Sequence, residues 1–300
     1  MTALERLKPD PVPAIHPVAE YAVRDERAQW YAEMKDALQV PWMGVATMAY
    51  AYYPAFFREL WRGLKPLVSS RPFIEEAQAL QALVEDRAKE LKPPAIGERL
   101  AGMGYGEREI GNILAANQVF SHGNHLYALI AAMARLLMEG GDMAGPRDGP
   151  APAFEGRHAP DVQVPFVLME AHHADDPTRR TYDDVKEVLG LPFVNTDYRA
   201  FARWPSYWAA AWGDLREVAG TPAHEAICQA YHARLAAAME ELPNPGGLDS
   251  GALRNAAEED AGIGEVTEMC RLFQWLLPGL ATNVAFLKEQ LPGRPAAPGG

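Results

Sequence analysis

The sequence predicts an all-α protein made of two related helical halves joined by a linker. Three observations predict it. Apolar residues recur at the helical period, and no pair of alternating strands is joined by a hairpin signal. A stretch of the first half also reappears 151 residues later in the second.

The elements follow in chain order. Residues 1–20 read as an extended arm, because Pro9, Pro11, Pro13 and Pro17 remove amide donors and fix φ. Residues 21–138 form the first helical repeat. There, Phe73, Ala77, Leu80 and Val84 mark one stripe of a helix over Phe73 to Leu91. A later apolar helix runs on to Leu137. Residues 139–165 hold five Gly and five Pro in 27 positions, the composition of a linker. Residues 166–292 form the second repeat. Its helix from His224 to Leu242 carries Ile227, Ala230, Tyr231, Leu235 and Met239 on one face. Residues 293–300 read as a flexible tail, mostly Gly, Pro and Ala.

The repeat is read by setting Tyr31–Leu64 over Tyr182–Leu215 without a gap. Nine of 34 positions are identical, among them Pro41/Pro192, Pro54/Pro205 and Trp61/Trp212. A weaker echo, shifted by 158, joins Gly106-Glu107 to Gly264-Glu265. Two such halves packed face to face make an intrachain pseudo-dimer, and interfaces of this kind often hold ligands.

Composition narrows the function. A chain of 300 residues with net charge −12 lacks the basic footprint that nucleic acids or acidic membranes require. The longest apolar stretch, Leu126 to Met138, is broken by Arg135 and is too short to span a bilayer. The first residues carry no apolar core of a secretory signal. Cys228 and Cys270 cannot build a disulfide framework. The expectation is a reduced, cytoplasmic protein.

Duplication supplies an internal control, since residues that keep the fold should match and residues that carry chemistry need not. Apolar Val45 and Ala46 of the first copy face polar Thr196 and Asp197 of the second. Asp197 begins a predicted helix, Asp197 to Ala202, capped by Asn195 or Thr196. Aspartate is common in any first turn, where the helix dipole favours it. The same carboxylate at a cleft wall could accept a proton. A second asymmetric stretch runs from Asn117 to Tyr127 and includes Ser121, His122, Gly123, Asn124 and His125. Its polar groups interrupt an apolar helix, either to sew helices together or to form a site. Gly123 allows a close approach. His122 with His125, and His172 with His173, match no strong metal pattern, so no metal is expected. No nucleotide-binding glycine loop or serine-hydrolase elbow is present.

These residues resemble a known family. Val40-Pro-Trp-Met-Gly-Val, Phe120-Ser-His-Gly-Asn-His-Leu-Tyr-Ala-Leu and Thr196-Asp-Tyr-Arg-Ala-Phe-Ala-Arg-Trp-Pro resemble the group I 2-haloacid dehalogenases, which include D-specific and DL-specific enzymes. The likeness spans about residues 25 to 290. It implies an all-helical fold of two pseudo-symmetric repeats. It also implies cofactor-independent hydrolysis of a 2-haloacid to a 2-hydroxy acid with inversion at C2, by direct attack of water. Asp197 matches the catalytic base, and Asn124 matches the residue that orients the water. Trp42, Val45, Tyr127, Thr196, Phe273 and Leu277 fall where the family lines its substrate pocket. Asn195 falls where side-chain size bears on stereochemistry, with D as the expected hand. Thr196, Phe273 and Val45 stand where relatives carry Ser, Tyr and Phe. Arg199 and Arg203 are candidates to offset the substrate's charge if they face inward.

The partners implied are a small 2-haloacid, water and halide, with neither nucleic acid nor membrane. A homodimer or homotetramer is expected on general grounds. Two rivals remain at this stage: Asp197 as a nucleophile forming an ester, and a non-catalytic helical protein that binds small acids.

Overall fold

The computed structural model describes residues 4–146, 151–161 and 164–292. The proposed tail, 293–300, lies outside the described residues, as do the first residues of the arm and parts of the linker. Among the described residues the regular structure is helical, apart from one isolated bridge between Ser70 and Ala153. The helices are α1 (Glu26–Leu38), α2 (Val45–Tyr50), α3 (Pro54–Val68), α4 (Arg71–Ala88), α5 (Gly97–Gly102) and α6 (Glu107–Met138). They continue with α7 (Asp176–Leu189), α8 (Thr196–Phe201), α9 (Pro205–Arg216), α10 (Pro222–Glu241), α11 (Ser250–Asp260) and α12 (Ile263–Gln290). A short 3-10 turn, Lys89–Leu91, extends α4, so the stripe read from Phe73 to Leu91 corresponds to α4 and this turn.

The described chain divides into two compact units. The first holds Met1–Leu83, His122–Ala159 and Cys228–Ala281; the second holds Val84–Ser121, Pro160–Ile227 and Thr282–Gly300. Each unit therefore draws on both halves of the sequence.

The 151-residue echo is also an echo of local structure. α1-α2-α3 and α7-α8-α9 occupy matching spans, and α2 maps onto α8 residue for residue. α1 ends at Gln39 and α7 at Gly190, both in the left-handed region. Glycine takes that conformation freely, whereas glutamine tolerates it only as a single cap residue. Three hydrogen bonds recur at the same shift. The amide of Val18 donates to the Met48 carbonyl, and that of Met169 to the Arg199 carbonyl. The hydroxyls of Tyr31 and Tyr182 donate to the carbonyls of Val18 and Met169. The indoles of Trp61 and Trp212 donate to the carboxylates of Glu33 and Asp184.

In the first unit, α3 buries Phe56, Phe57, Leu60, Trp61 and Leu64, and it packs on α11. Burying each such side chain contributes about 1.5–3 kcal/mol. Pro54 opens α3 at a position where its missing amide costs nothing. Asp260, at the end of α11, accepts from the amides of Ala55 and Phe56 at 3.1 and 2.8 Å. It thus satisfies two orphan donors and meets the positive end of the helix. In the second unit the amide equivalent to that of Phe56, on Tyr207, donates to the Tyr105 hydroxyl at 3.3 Å. The second unit's core centres on Phe201, which meets Phe120 edge-on and stacks with Trp208.

Two segments that composition marks as irregular are docked on the first unit. The amide of Arg71 donates to the Pro152 carbonyl, and that of Phe154 to the Ser69 carbonyl. Gln39 accepts from the amides of His158 and Ala159. Part of residues 139–165 is therefore held in place by backbone hydrogen bonds that composition does not reveal. In the arm, the Arg6 guanidinium donates to the Trp275 carbonyl, and Arg6 and Lys8 lie over the Trp275 ring. Cys228 and Cys270 are buried free thiols.

Candidate active site

Asn195, Thr196 and Asp197 are consecutive at the start of α8 in the second unit, and all three are buried. The predicted helix begins one residue earlier than expected, and Asn195 is its N-cap. Asn195 caps with its backbone only, since its side chain makes no hydrogen bond to the first-turn amides. Its Oδ1 is buried without a hydrogen-bond partner among the described residues. An unpaired buried amide oxygen is costly, and an Asn cap ordinarily turns that oxygen onto the helix. Asp197 is 3% exposed and Thr196 4%. The Thr196 hydroxyl accepts from Arg199, whose Nη1 also donates to both oxygens of Glu170 at 2.7 and 2.8 Å. The Arg199 charge is thus already matched by a carboxylate. Arg203 donates to the Pro165 carbonyl and lies over the Trp204 ring.

A network missed by sequence reasoning holds α8 from behind. The Asn283 amide donates to the Tyr198 hydroxyl at 2.8 Å, and Asn283 Oδ1 accepts from His224 Nε2 at 2.7 Å. His224 Nδ1 accepts from the Gly220 amide at 3.4 Å, which assigns the neutral tautomer carrying its proton on Nε2. Tyr198 follows Asp197 directly, so this chain of bonds fixes the helix that carries the carboxylate. The available signal was Asn283 itself, an amide in an apolar run of α12.

In the first unit, Trp42, Val45, Asn124, Tyr127, Phe273 and Leu277 all fall within one compact body. Val45 opens α2 and is half-buried; the others are buried. Tyr127 and Trp42 come together, with ring centroids 5.9 Å apart and the tyrosine hydroxyl donating to the Trp42 carbonyl at 2.6 Å. Burial pushes the Tyr127 pKa up, which keeps this donor protonated. Phe273 meets Tyr50 edge-on at 5.8 Å. Gly123 lies against Trp42, and Gly44 lies against the Tyr127 ring.

The other polar groups of the Asn117–Tyr127 stretch have structural partners. Asn117 donates to the Val284 carbonyl and accepts from Ser121. His122 donates to the Leu38 carbonyl at 3.2 Å, and His125 shares a hydrogen bond with the Tyr231 hydroxyl at 2.7 Å. Asn117, His122 and His125 thus tie α6 to other parts of the chain, while Ser121 bonds to Asn117 within α6 itself. His172 and His173 are exposed, with their ring centroids 4.1 Å apart and the rings tilted at 47° to each other. A cavity of about 720 Å³ opens elsewhere in the first unit beside Leu136, Arg254, Thr267 and Arg271, and none of the candidate site residues lines it.

Comparison with known proteins places this arrangement in context. Residues 41–191 match the family described as halocarboxylic acid dehydrogenase DehI. The chain is 41% identical over 252 residues to an (R)-2-haloacid dehalogenase of Rhizobium sp. (strain NHG3), covering 83% of this chain and 96% of the relative. It is 36% identical over 283 residues to an (R)-2-haloacid dehalogenase of Pseudomonas putida, covering 92% of each. A crystal structure of a D-2-haloacid dehalogenase mutant superposes with TM-score 0.85 at 33% identity, covering 97% of this chain and 99% of that one.

Proposed function

Because the chain belongs to the DehI family, whose relatives are 2-haloacid dehalogenases, we propose that it is a hydrolase acting on the carbon–halide bond of short 2-haloalkanoic acids. The product is the 2-hydroxyalkanoic acid, with inverted configuration at C2. The observation that carries this reading is Asp197, a carboxylate buried in the first turn of α8 within the segment that resembles the family's catalytic run.

In this reading Asp197 is the general base. Water is a weak nucleophile, and a base within hydrogen-bond reach removes its proton as attack proceeds. Asn124 is the water's second partner and fixes its line of approach, which lowers the entropic part of the barrier. The water oxygen bonds to C2 as the C2–halogen bond breaks, and the electron pair leaves with the halide. The proton taken by Asp197 returns to solvent. The balance closes with water alone, so the step requires no cofactor. Trp42, Val45, Tyr127, Phe273 and Leu277 supply the apolar wall. Thr196 and the uncapped first turn of α8 face the substrate carboxylate's charge, since Arg199 is occupied by Glu170. Asn195 crowds one approach at C2, and the preferred enantiomer is D.

The test is halide release from separate D- and L-2-chloropropionate by wild type and Asp197→Asn. Release by wild type alone, faster from the D form, is the expected result. Single turnover with excess enzyme in heavy-oxygen water should label the hydroxy acid and leave Asp197 unlabelled. Label in the protein would establish an ester intermediate instead.

A further inference from the structure

Gly123 and Gly44 do more than loosen the backbone. Neither has a positive φ, so neither position needs glycine for its conformation. Both need it for space. A Cβ on Gly123 would stand 2.3 Å from Cη2 of Trp42, 3.0 Å from Cζ2 and 3.2 Å from Cζ3. Carbon atoms pack at about 3.5–4.0 Å, so the far edge of the indole rests directly on the α6 backbone. A Cβ on Gly44 would stand 2.8–2.9 Å from three ring carbons of Tyr127. The Gly44 backbone therefore packs directly against the tyrosine ring.

The contacts interlock. Gly123 and Tyr127 are four residues apart on α6 and share a face. One receives the Trp42 ring, and the other holds the Trp42 carbonyl through its hydroxyl at 2.6 Å. The backbone of residues 42–44 is thus pinned by Tyr127, while the position of the indole is set by Gly123. Trp42 is 3% exposed and Tyr127 2%, so neither ring can give way into solvent.

We propose that Gly123 is a specificity-determining residue: it seats the Trp42 indole against α6 and so sets how large a substituent at C2 the pocket accepts. The inference rests on the assignment of Trp42 to the substrate pocket. A side chain at 123 would unseat the indole. With its backbone pinned, the ring must turn away from α6, and in a pocket walled by Trp42 that turn takes room from the substrate. The larger acid suffers first.

The experiment compares kcat/KM for D-2-chloropropionate and D-2-chlorobutyrate. Gly123→Ala should lower the chlorobutyrate-to-chloropropionate ratio by about tenfold, the scale of one methylene in a tight pocket. Trp42→Phe removes the colliding atoms without touching α6 and should raise the ratio. In the Gly123→Ala/Trp42→Phe double variant the ratio should return to within about twofold of Trp42→Phe alone. An unchanged ratio in Gly123→Ala, or a double variant no better than Gly123→Ala, overturns the inference. If Gly123→Ala does not fold, an unmoved ratio in Trp42→Phe overturns it as well. A wild type that releases halide from neither acid overturns the proposed function itself, and the inference with it.

Discussion

The Tyr127 hydroxyl donates a 2.6 Å hydrogen bond to the carbonyl of Trp42, a residue 85 positions earlier in the chain. Both side chains are buried. This one bond ties the segment before α2 to the middle of α6, next to Asn124.

Replacing Tyr127 by Phe should therefore cost more than a surface hydroxyl. It leaves the Trp42 carbonyl buried and without this donor, at about 1–2 kcal/mol. The expected outcome is a lower urea midpoint with an unchanged slope, together with a raised KM for 2-chloropropionate. A midpoint equal to wild type would mean that the carbonyl finds another donor.

Asn283→Leu should have a larger effect on activity than its position suggests. It removes the donor to Tyr198 and the acceptor from His224. Two buried polar groups each lose one hydrogen bond, at about 0.5–1.5 kcal/mol each. Because Tyr198 adjoins Asp197, kcat should fall at temperatures where circular dichroism still reports a folded protein. Full kcat in a destabilised variant would restrict Asn283 to a structural role.

Asp260→Ala should destabilise the first unit. It strips the Ala55 and Phe56 amides of α3 of a carboxylate partner. Loss of such a cap costs about 1 kcal/mol. Tyr105→Phe tests the equivalent position in the second unit, and it should cost less because it removes a neutral cap. Thermal melts of the two variants decide between them.

His122 makes stability depend on pH. Burial holds its pKa down at about 4, below the ordinary value of 6.5. The folded protein therefore keeps this ring neutral where the unfolded chain already binds a proton. Stability falls as pH drops from about 6.5 towards about 4, by an amount on the order of 2–3 kcal/mol, and levels off below that range. His122→Gln keeps a donor for the Leu38 carbonyl but cannot titrate. Its stability should be flatter than wild type between pH 7 and pH 5. Parallel curves for the two proteins would show that the ring is not the group responsible.

Sequence alone determined the helical class and the 151-residue echo. Helical periodicity is a local property, and the paired prolines and tryptophans keep their spacing whatever surrounds them. α2 and α8 match because Gly44 and Asn195 take the same extended conformation at the same offset. The stretches holding Asp197 and Asn124 were also legible, as polar residues where the other copy is apolar.

Tertiary structure decided the rest. That Asn117, His122 and His125 are structural follows only from their partners Val284, Leu38 and Tyr231, far away along the chain. The docking of the linker depends on Gln39 and Ser69, which nothing in its Gly/Pro composition announces. Gly123 looked merely permissive until the Trp42 ring was found against it. Hydrogen bonds and steric fits between residues remote in sequence depend on which surfaces the packed helices bring together. A periodic pattern records which face of a helix is apolar, not which side chain will lie across it.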